Sequence, residues 1–183
     1  MQELNILLIT ASIREGRQTP KVAEALRQKL ALQKNINLSQ IDLLELNLPF
    51  FTDAEPVGPA LTLLEAYKKA DGIIIVTPEY NHSIPAAAKN MIDYAVDKEL
   101  YGKPLMQVGV SSKNFGGVRA IKELAHIWHA VGGIALPVFL PTPFVTEFDA
   151  ANPPKDWSER ADATLERAIY WFRVIKAGKE SLA

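Results

Sequence analysis

The chain has 183 residues, 48% of them hydrophobic, with 20 lysines and arginines against 21 aspartates and glutamates. That length suits a single domain, 1–183, with one sizeable core, and a net charge of −1 gives no long-range field to gather nucleic acid or an acidic membrane. With no cysteine present, disulfides, thiolate metal sites and a cysteine nucleophile are excluded. The histidines His82, His126 and His129 include no i,i+4 pair, so no metal is expected. The N-terminus lacks the basic segment of a secretion signal and the apolar run after it is only strand-long, which predicts a cytoplasmic protein without a membrane segment.

Asn5 to Ala11 is an apolar run closed by small polar residues and predicts the first, central strand of a parallel sheet. The loop Ser12-Ile13-Arg14-Glu15-Gly16-Arg17-Gln18-Thr19 leads to Pro20, with Thr19 as N-cap and proline at the first helical position, and the helix buries Val22, Leu26 and Leu30. Hydroxyls, a glycine and two arginines delivered to a helix start suit a phosphate; taken singly, Arg14 and Arg17 are solvated surface charges. The glycine spacing is neither that of a Walker A loop nor that of a Gly-x-Gly-x-x-Gly turn.

A second strand is expected at Leu38 to Leu43, then an ordered, irregular passage from Glu45 to Pro56, in which Phe50 and Phe51 either cover an aromatic ligand or pin the loop to the core. A helix from Pro59 to Ala70 places Ala60, Leu63, Leu64 and Tyr67 on one face. Gly72 to Thr77 reads as a strand buried on both faces. After it come a polar loop from Pro78 to Pro85 and a helix carrying Ala88, Met91, Ile92 and Ala95, ending near Asp97.

Pro104 to Val110 predicts a fourth strand, and Ser111 to Gly117 a loop whose two glycines either admit a ligand to the backbone or make an ordinary turn. The helix from Val118 to Val131 has two apolar faces, Val118, Ile121, Ala125 and Trp128 on one and Leu124, Ile127 and Val131 on the other, so it is either deep in the core or shared with another subunit. Pro137 makes the fifth strand, Gly133 to Phe139, an edge. Pro141 to Pro154 is expected as a surface excursion, and Asp156 and Glu159 as a capping box opening a helix with Ala161, Leu165, Ala168, Ile169, Phe172 and Ile175 buried. The β-α alternation predicts a parallel sheet covered on both faces. Five strands fit the order 2-1-3-4-5, which sets loops one and three at the topological switch point with loop four beside them.

Pro78-Glu79-Tyr80-Asn81-His82-Ser83, continuing through Pro85 to Lys89-Asn90 and Asp93, with Ser12-x-Arg14-x-Gly16-Arg17 and Gly116-Gly117-Val118-Arg119-Ala120, resembles the NAD(P)H-dependent FMN reductases, a group that includes quinone, azo-dye and chromate reductases. The resemblance runs from Asn5 to about Phe139. It implies a flavodoxin-like three-layer α/β sandwich, bound FMN, NADPH or NADH as donor, a small acceptor (quinone, azo compound, chromate or flavin), ping-pong kinetics, and a homodimer or homotetramer. It implies that Ser12, Arg14, Arg17, Gln18 and Thr19 hold the FMN phosphate and that Pro78, Glu79, Tyr80 and Asn81 wrap the ribityl chain and one ring edge, largely through backbone. Ser111, Gly116 and Gly117 then contact the other side, the Gly116-Gly117 helix start offering N–H groups to the reduced flavin. His82 is either on the substrate side or a hydrogen-bonded loop histidine; Arg119 either binds NAD(P)H or substrate, or pairs with a carboxylate. No side chain is expected to carry the chemistry. The chain departs from the family in Ala11-Ser12, where Gly-Ser is usual, and in a Ser111–Phe115 loop a residue or two longer than common. The alternative reading is an FMN electron carrier without NAD(P)H activity, against which stand the near-neutral charge and the lack of a Thr-rich phosphate turn.

Overall fold

The run Gly-Ile-Ile-Ile-Val-Thr-Pro leaves no polar face for water, and in the computed structural model, which describes residues 2–52, 54–96 and 98–181, all seven residues of this strand are buried. The elements follow as β1 (Leu4–Thr10), α1 (Thr19–Ala31), β2 (Ile36–Asp42), α2 (Leu43–Leu46), α3 (Pro59–Lys69), β3 (Gly72–Pro78), α4 (Ala86–Asp93), β4 (Pro104–Val110), α5 (Val118–Ala130), β5 (Ile134–Thr142) and α6 (Lys155–Glu180). The strands are parallel in the order β2-β1-β3-β4-β5, as the alternation predicts.

Successive residues of β3 point to opposite faces. Ile74 and Val76 join Val22 and Leu26 of α1 and Leu165 and Phe172 of α6, whereas Ile73 and Ile75 join Leu63 and Tyr67 of α3, Met91 of α4 and Leu124 and Trp128 of α5. Ile127 and Val131 pack on that second core, so the face of α5 they share with Leu124 is turned inward.

Several boundaries differ from the sequence pattern. Thr19 does not cap α1; it is the first helical residue, Gln18 stands at the cap, and the Thr19 hydroxyl pairs instead with that of buried Ser12. β2 begins two residues early and closes on Asp42, whose carboxylate caps the single turn α2 by accepting from Leu44 N–H at 2.9 Å. The fourth helix stops at Asp93, and its expected end at Asp97 lies outside the described residues. β5 runs to Thr142, and Pro137 falls where its register against β4 jumps from Leu105↔Ala135 to Gln107↔Phe139; a proline cannot donate to the ladder, and an irregular edge tolerates it. The passage after β5 is not all surface, because Val145 and Phe148 are buried and Phe148 meets Trp157 edge-on at 4.7 Å. Asp156 and Glu159 form no capping box: α6 begins at Lys155, no side chain caps it, and Asp156 faces Arg160 at 3.5 Å.

The two phenylalanines separate. Phe51 packs edge-on to Tyr94 at 5.4 Å and its N–H donates to Asn90 Oδ1 at 2.8 Å, while Asn90 Nδ2 donates to Pro49 O at 2.8 Å; Phe50 is 80% exposed. Phe51 therefore pins the loop to α4. Replacing Asn90 by Ala strands the Phe51 N–H, while Pro49 O keeps the Tyr94 hydroxyl at 3.1 Å, and should lower the unfolding free energy by about 1–3 kcal/mol, whereas Phe50→Ala should stay within about 0.5 kcal/mol of wild type; urea denaturation of both variants checks the contrast.

Candidate functional site

The loops that leave β1, β3 and β4 converge on a cleft of about 580 Å³ at the carboxyl ends of the strands, where the strand order reverses. Arg14, Arg17, Gln18 and Thr19 face it from the first loop, Pro78, Glu79, Tyr80 and His82 from the third, and Ser111 from the fourth. Ser12, Asn81, Gly116 and Gly117 do not line it: Ser12, Gly116 and Gly117 are buried, and Asn81 is exposed on the turn beside His82.

In the first loop the two arginines have different partners. Arg17 Nη1 donates to Ser12 O at 2.8 Å and pairs with Asp42 at 2.5 Å, with only 13% of its side chain exposed. Its charge is answered and its task is to tie the loop to the end of β2. Arg14 has no ion-pair partner among the described residues and lies 5.8 Å over the Tyr80 ring. No side chain caps α1, but Pro20 has no N–H and the Lys21 N–H donates to Gln18 O at 3.2 Å, so the amides left without an acceptor among the described residues are those of Gln18 and Thr19, in the loop that also carries Arg14.

The third loop is a tight hairpin turn. Tyr80 and Ser83 exchange N–H···O bonds of 2.9 and 3.0 Å around Asn81 and His82, with φ of 48° and 67°, a type I′ arrangement that favours Asn. Among the described residues the amides of Asn81 and His82 have no hydrogen-bond acceptor, leaving two backbone donors at the rim. Glu79 does more than follow the strand: its carboxylate accepts from the Arg119 backbone N–H at 3.1 Å and from the Arg119 guanidinium at 3.1 Å. Of the fates open to Arg119, the structure shows the carboxylate pair. The guanidinium also lies 4.9 Å over the Phe115 ring.

The fourth loop is stitched by Ser111, whose hydroxyl donates to Lys113 O at 2.7 Å and accepts from Gly116 N–H at 3.0 Å. Gly116 and Gly117 have φ of 63° and 78°, and a Cβ on them would lie 2.8 Å from Pro141 Cβ and 2.6 Å from Val110 N, respectively. They serve close packing of this loop on β4 and β5. Of the N–H groups at this helix start, Ser111 takes that of Gly116, Phe115 O that of Val118 and Glu79 that of Arg119, which leaves the Gly117 N–H without an acceptor among the described residues.

Sequence reasoning missed Asp42, which the strand order places beside loop one, and Lys113, Phe115, Val145 and Thr146 on the cleft wall. The aromatic and the lysine in loop four were visible signals; Val145 and Thr146 carried none.

Residues 4–146 match the family model described as NADPH-dependent FMN reductase. The chain belongs to this family. It is 33% identical over 138 residues to a quinone reductase of Escherichia coli K12, covering 69% of this chain and 70% of that protein. It is 26% identical over 158 residues to an NAD(P)H-dependent FMN reductase of Saccharomyces cerevisiae, covering 74% and 81%. The flavoenzyme NAD(P)H:(acceptor) oxidoreductase FerB of Paracoccus denitrificans superposes with a TM-score of 0.78 at 22% identity, covering 93% of this chain and 97% of that one, which shows the flavodoxin-like fold. The protein is accordingly an oxidoreductase that works with FMN and NAD(P)H.

The glycine packing can be tested directly. Gly16 has φ of 67° but nothing within 4 Å of a built Cβ, so Gly16→Ala should cost only left-handed strain, about 1 kcal/mol. Gly117→Ala adds a backbone clash and should cost about 3 kcal/mol or more, read as the loss in unfolding free energy.

Proposed function

We propose that FMN lies in this cleft with its phosphate at the start of α1 and its ring between the third and fourth loops, and that the protein passes electrons from NADPH or NADH to a small acceptor. The observation that carries this reading is the cleft's donor set: an uncapped helix start beside the unpaired Arg14, and two free amides at Asn81 and His82 a short way along the rim. An anion at one end and a flat polar edge at the other match a phosphate and a flavin ring, and about 580 Å³ falls within the ordinary range of cofactor clefts.

Bound FMN supplies the redox chemistry, accepting a hydride equivalent from the nicotinamide and handing electrons to the acceptor. The protein's own residues bind and orient. Arg14 with the Gln18 and Thr19 amides holds the phosphate, and Arg17, fixed by Asp42, positions the loop. Ser12 and Thr19 lock the turn from within, and Gln18 closes it by donating to Gly16 O at 2.8 Å. Pro78 and Tyr80 wall the cleft on the β3 side. Donor and acceptor take the same open face in turn, which makes the kinetics ping-pong. Similarity to the bacterial quinone reductase supports a quinone as acceptor, and a shorter match to an azoreductase, 33% identical over 85 residues, supports an azo compound; chromate and free flavin are further acceptors of this reading. No helix among the described residues is long and apolar enough to cross a membrane. A cytoplasmic homodimer or homotetramer completes the proposal.

Anaerobic NADPH or NADH should bleach the yellow holoprotein, and a quinone should restore the colour; a protein that takes up no FMN sinks the reading. Arg14→Ala should weaken FMN binding roughly 10-fold, as expected for one charged contact. Asn81→Gly, which suits the left-handed turn, should retain FMN, whereas Asn81→Val should lose it, both followed by flavin fluorescence on titration. Sedimentation tests the assembly.

A further inference from the structure

The charges around the cleft fall into two groups. Arg14, Arg17 and Asp42 surround the first loop, and the proposed phosphate is matched there. Lys113, Arg119 and Glu79 form the second group around the fourth loop, and the FMN phosphate, placed at the first loop, does not answer its surplus positive charge. Lys113 has no ion-pair partner among the described residues, and its backbone is fixed, its carbonyl accepting from the Ser111 hydroxyl at 2.7 Å and from Phe144 N–H at 3.4 Å.

Two residues on, Phe115 lines the same cleft with 54% of its surface exposed. An exposed phenylalanine ring in a polar loop is held by no core. This one is held by charge: Glu79, only 10% exposed, fixes the Arg119 guanidinium at 3.1 Å, and the guanidinium lies 4.9 Å over the ring, a cation–π contact. The chain carboxylate, guanidinium, ring presents a pre-set flat apolar surface beside an unanswered ammonium. A ligand that satisfies both has a planar ring and an anionic substituent.

We propose that Lys113 and Phe115 form an acceptor subsite selective for flat aromatic compounds bearing a sulfonate, carboxylate or ionised hydroxyl, the ring packing on Phe115 and the anion pairing with Lys113. The proposal rests on the cleft being the site of electron transfer. Its step balances as NADPH plus a proton plus the quinone giving NADP+ and the hydroquinone, the nicotinamide losing two electrons and the quinone gaining them with two protons. Arg119 is a positioning residue here, acting through Phe115.

Calorimetric titration with 2-naphthalenesulfonate and its neutral analogue 2-naphthalenemethanol, neither of them an electron acceptor, tests the subsite in FMN-loaded and in flavin-free protein. The sulfonate should bind at least 5-fold tighter than the alcohol, Lys113→Gln should abolish that preference, and Phe115→Ala should weaken both ligands. In turnover, Lys113→Gln should reduce kcat/KM for ionised 2-hydroxy-1,4-naphthoquinone about 5-fold relative to neutral 1,4-naphthoquinone. Equal binding of sulfonate and alcohol by the wild type overturns the proposal, as does a Lys113→Gln variant that raises KM for NADPH while keeping the sulfonate preference, since the lysine would then read the donor. FMN titration is scored apart: sulfonate preference in a protein that takes no flavin supports the subsite and removes only the electron transfer.

Discussion

The constraint on which everything else rests is burial of the sheet on both faces. β3 and β4 each bury all seven of their residues, so neither strand has a side on which a charge or a catalytic polar group can sit at acceptable cost. Apolar layers above and below must be covered, and in a parallel sheet only crossover helices can cover them. β3 therefore meets its polar loop at its carboxyl end, while the edge strand β2 carries Asn37, Ser39 and Gln40 along its length and Gln107 is a buried exception in mid-β4. The cleft is placed by this exclusion before any particular side chain is considered, and the reversal between β1 and β3 decides which loops share it.

Electrostatics then refines the shape. Two of the four cleft cations are spent on carboxylates: Arg17 on Asp42, joining loop one to β2, and Arg119 on Glu79, joining α5 to loop three. Partly exposed pairs of this kind add little net stability. What they supply is geometry, since each holds two separate elements at a fixed distance where backbone hydrogen bonding has ended. The same pairings sort the remaining charge. Arg14, on the first loop, is left over the Tyr80 ring and Lys113, on the fourth, is left lining the cleft, so the two unanswered cations belong to different loops.

The fold was legible because period and punctuation agreed. Ile73 to Val76 read as a doubly buried strand, Pro137 as an edge marker, and the five β-α units as the order 2-1-3-4-5, all of which the structure contains. Local caps were less legible. Thr19 and Asp156 have the chemistry of caps, yet Thr19 is drawn inward by Ser12, a partner that outweighs a local preference worth about 1 kcal/mol, and Asp156 lies inside the first turn of α6, paired with Arg160 of the same helix. At the cleft, which loops meet was readable, and which atoms remain free was not. The Glu79–Arg119 pair spans 40 positions, and no local pattern announces that a carboxylate has taken a helix start.

This division bears on how the family works with so little side-chain chemistry. Loops one and three are over-determined: Ser12, Thr19, Arg17 and the Tyr80–Ser83 turn are each fixed by bonds to the strands or to one another. Their free groups are mostly backbone, a kind of donor set that sequence change alters slowly, in keeping with a sheet that superposes on FerB at 22% identity. The fourth loop is fixed at its base by Ser111 and by the glycines against β4 and β5, but its outward side chains, Lys113 and Phe115, answer to no core. On the proposed reading, a mutation of these outward side chains changes what the cleft meets while leaving the bonds that fix the first loop in place. On that reading, phosphate binding and acceptor choice fall on parts of the chain that can vary independently, because packing fixes the first loop and leaves the outward side chains of the fourth to the cleft.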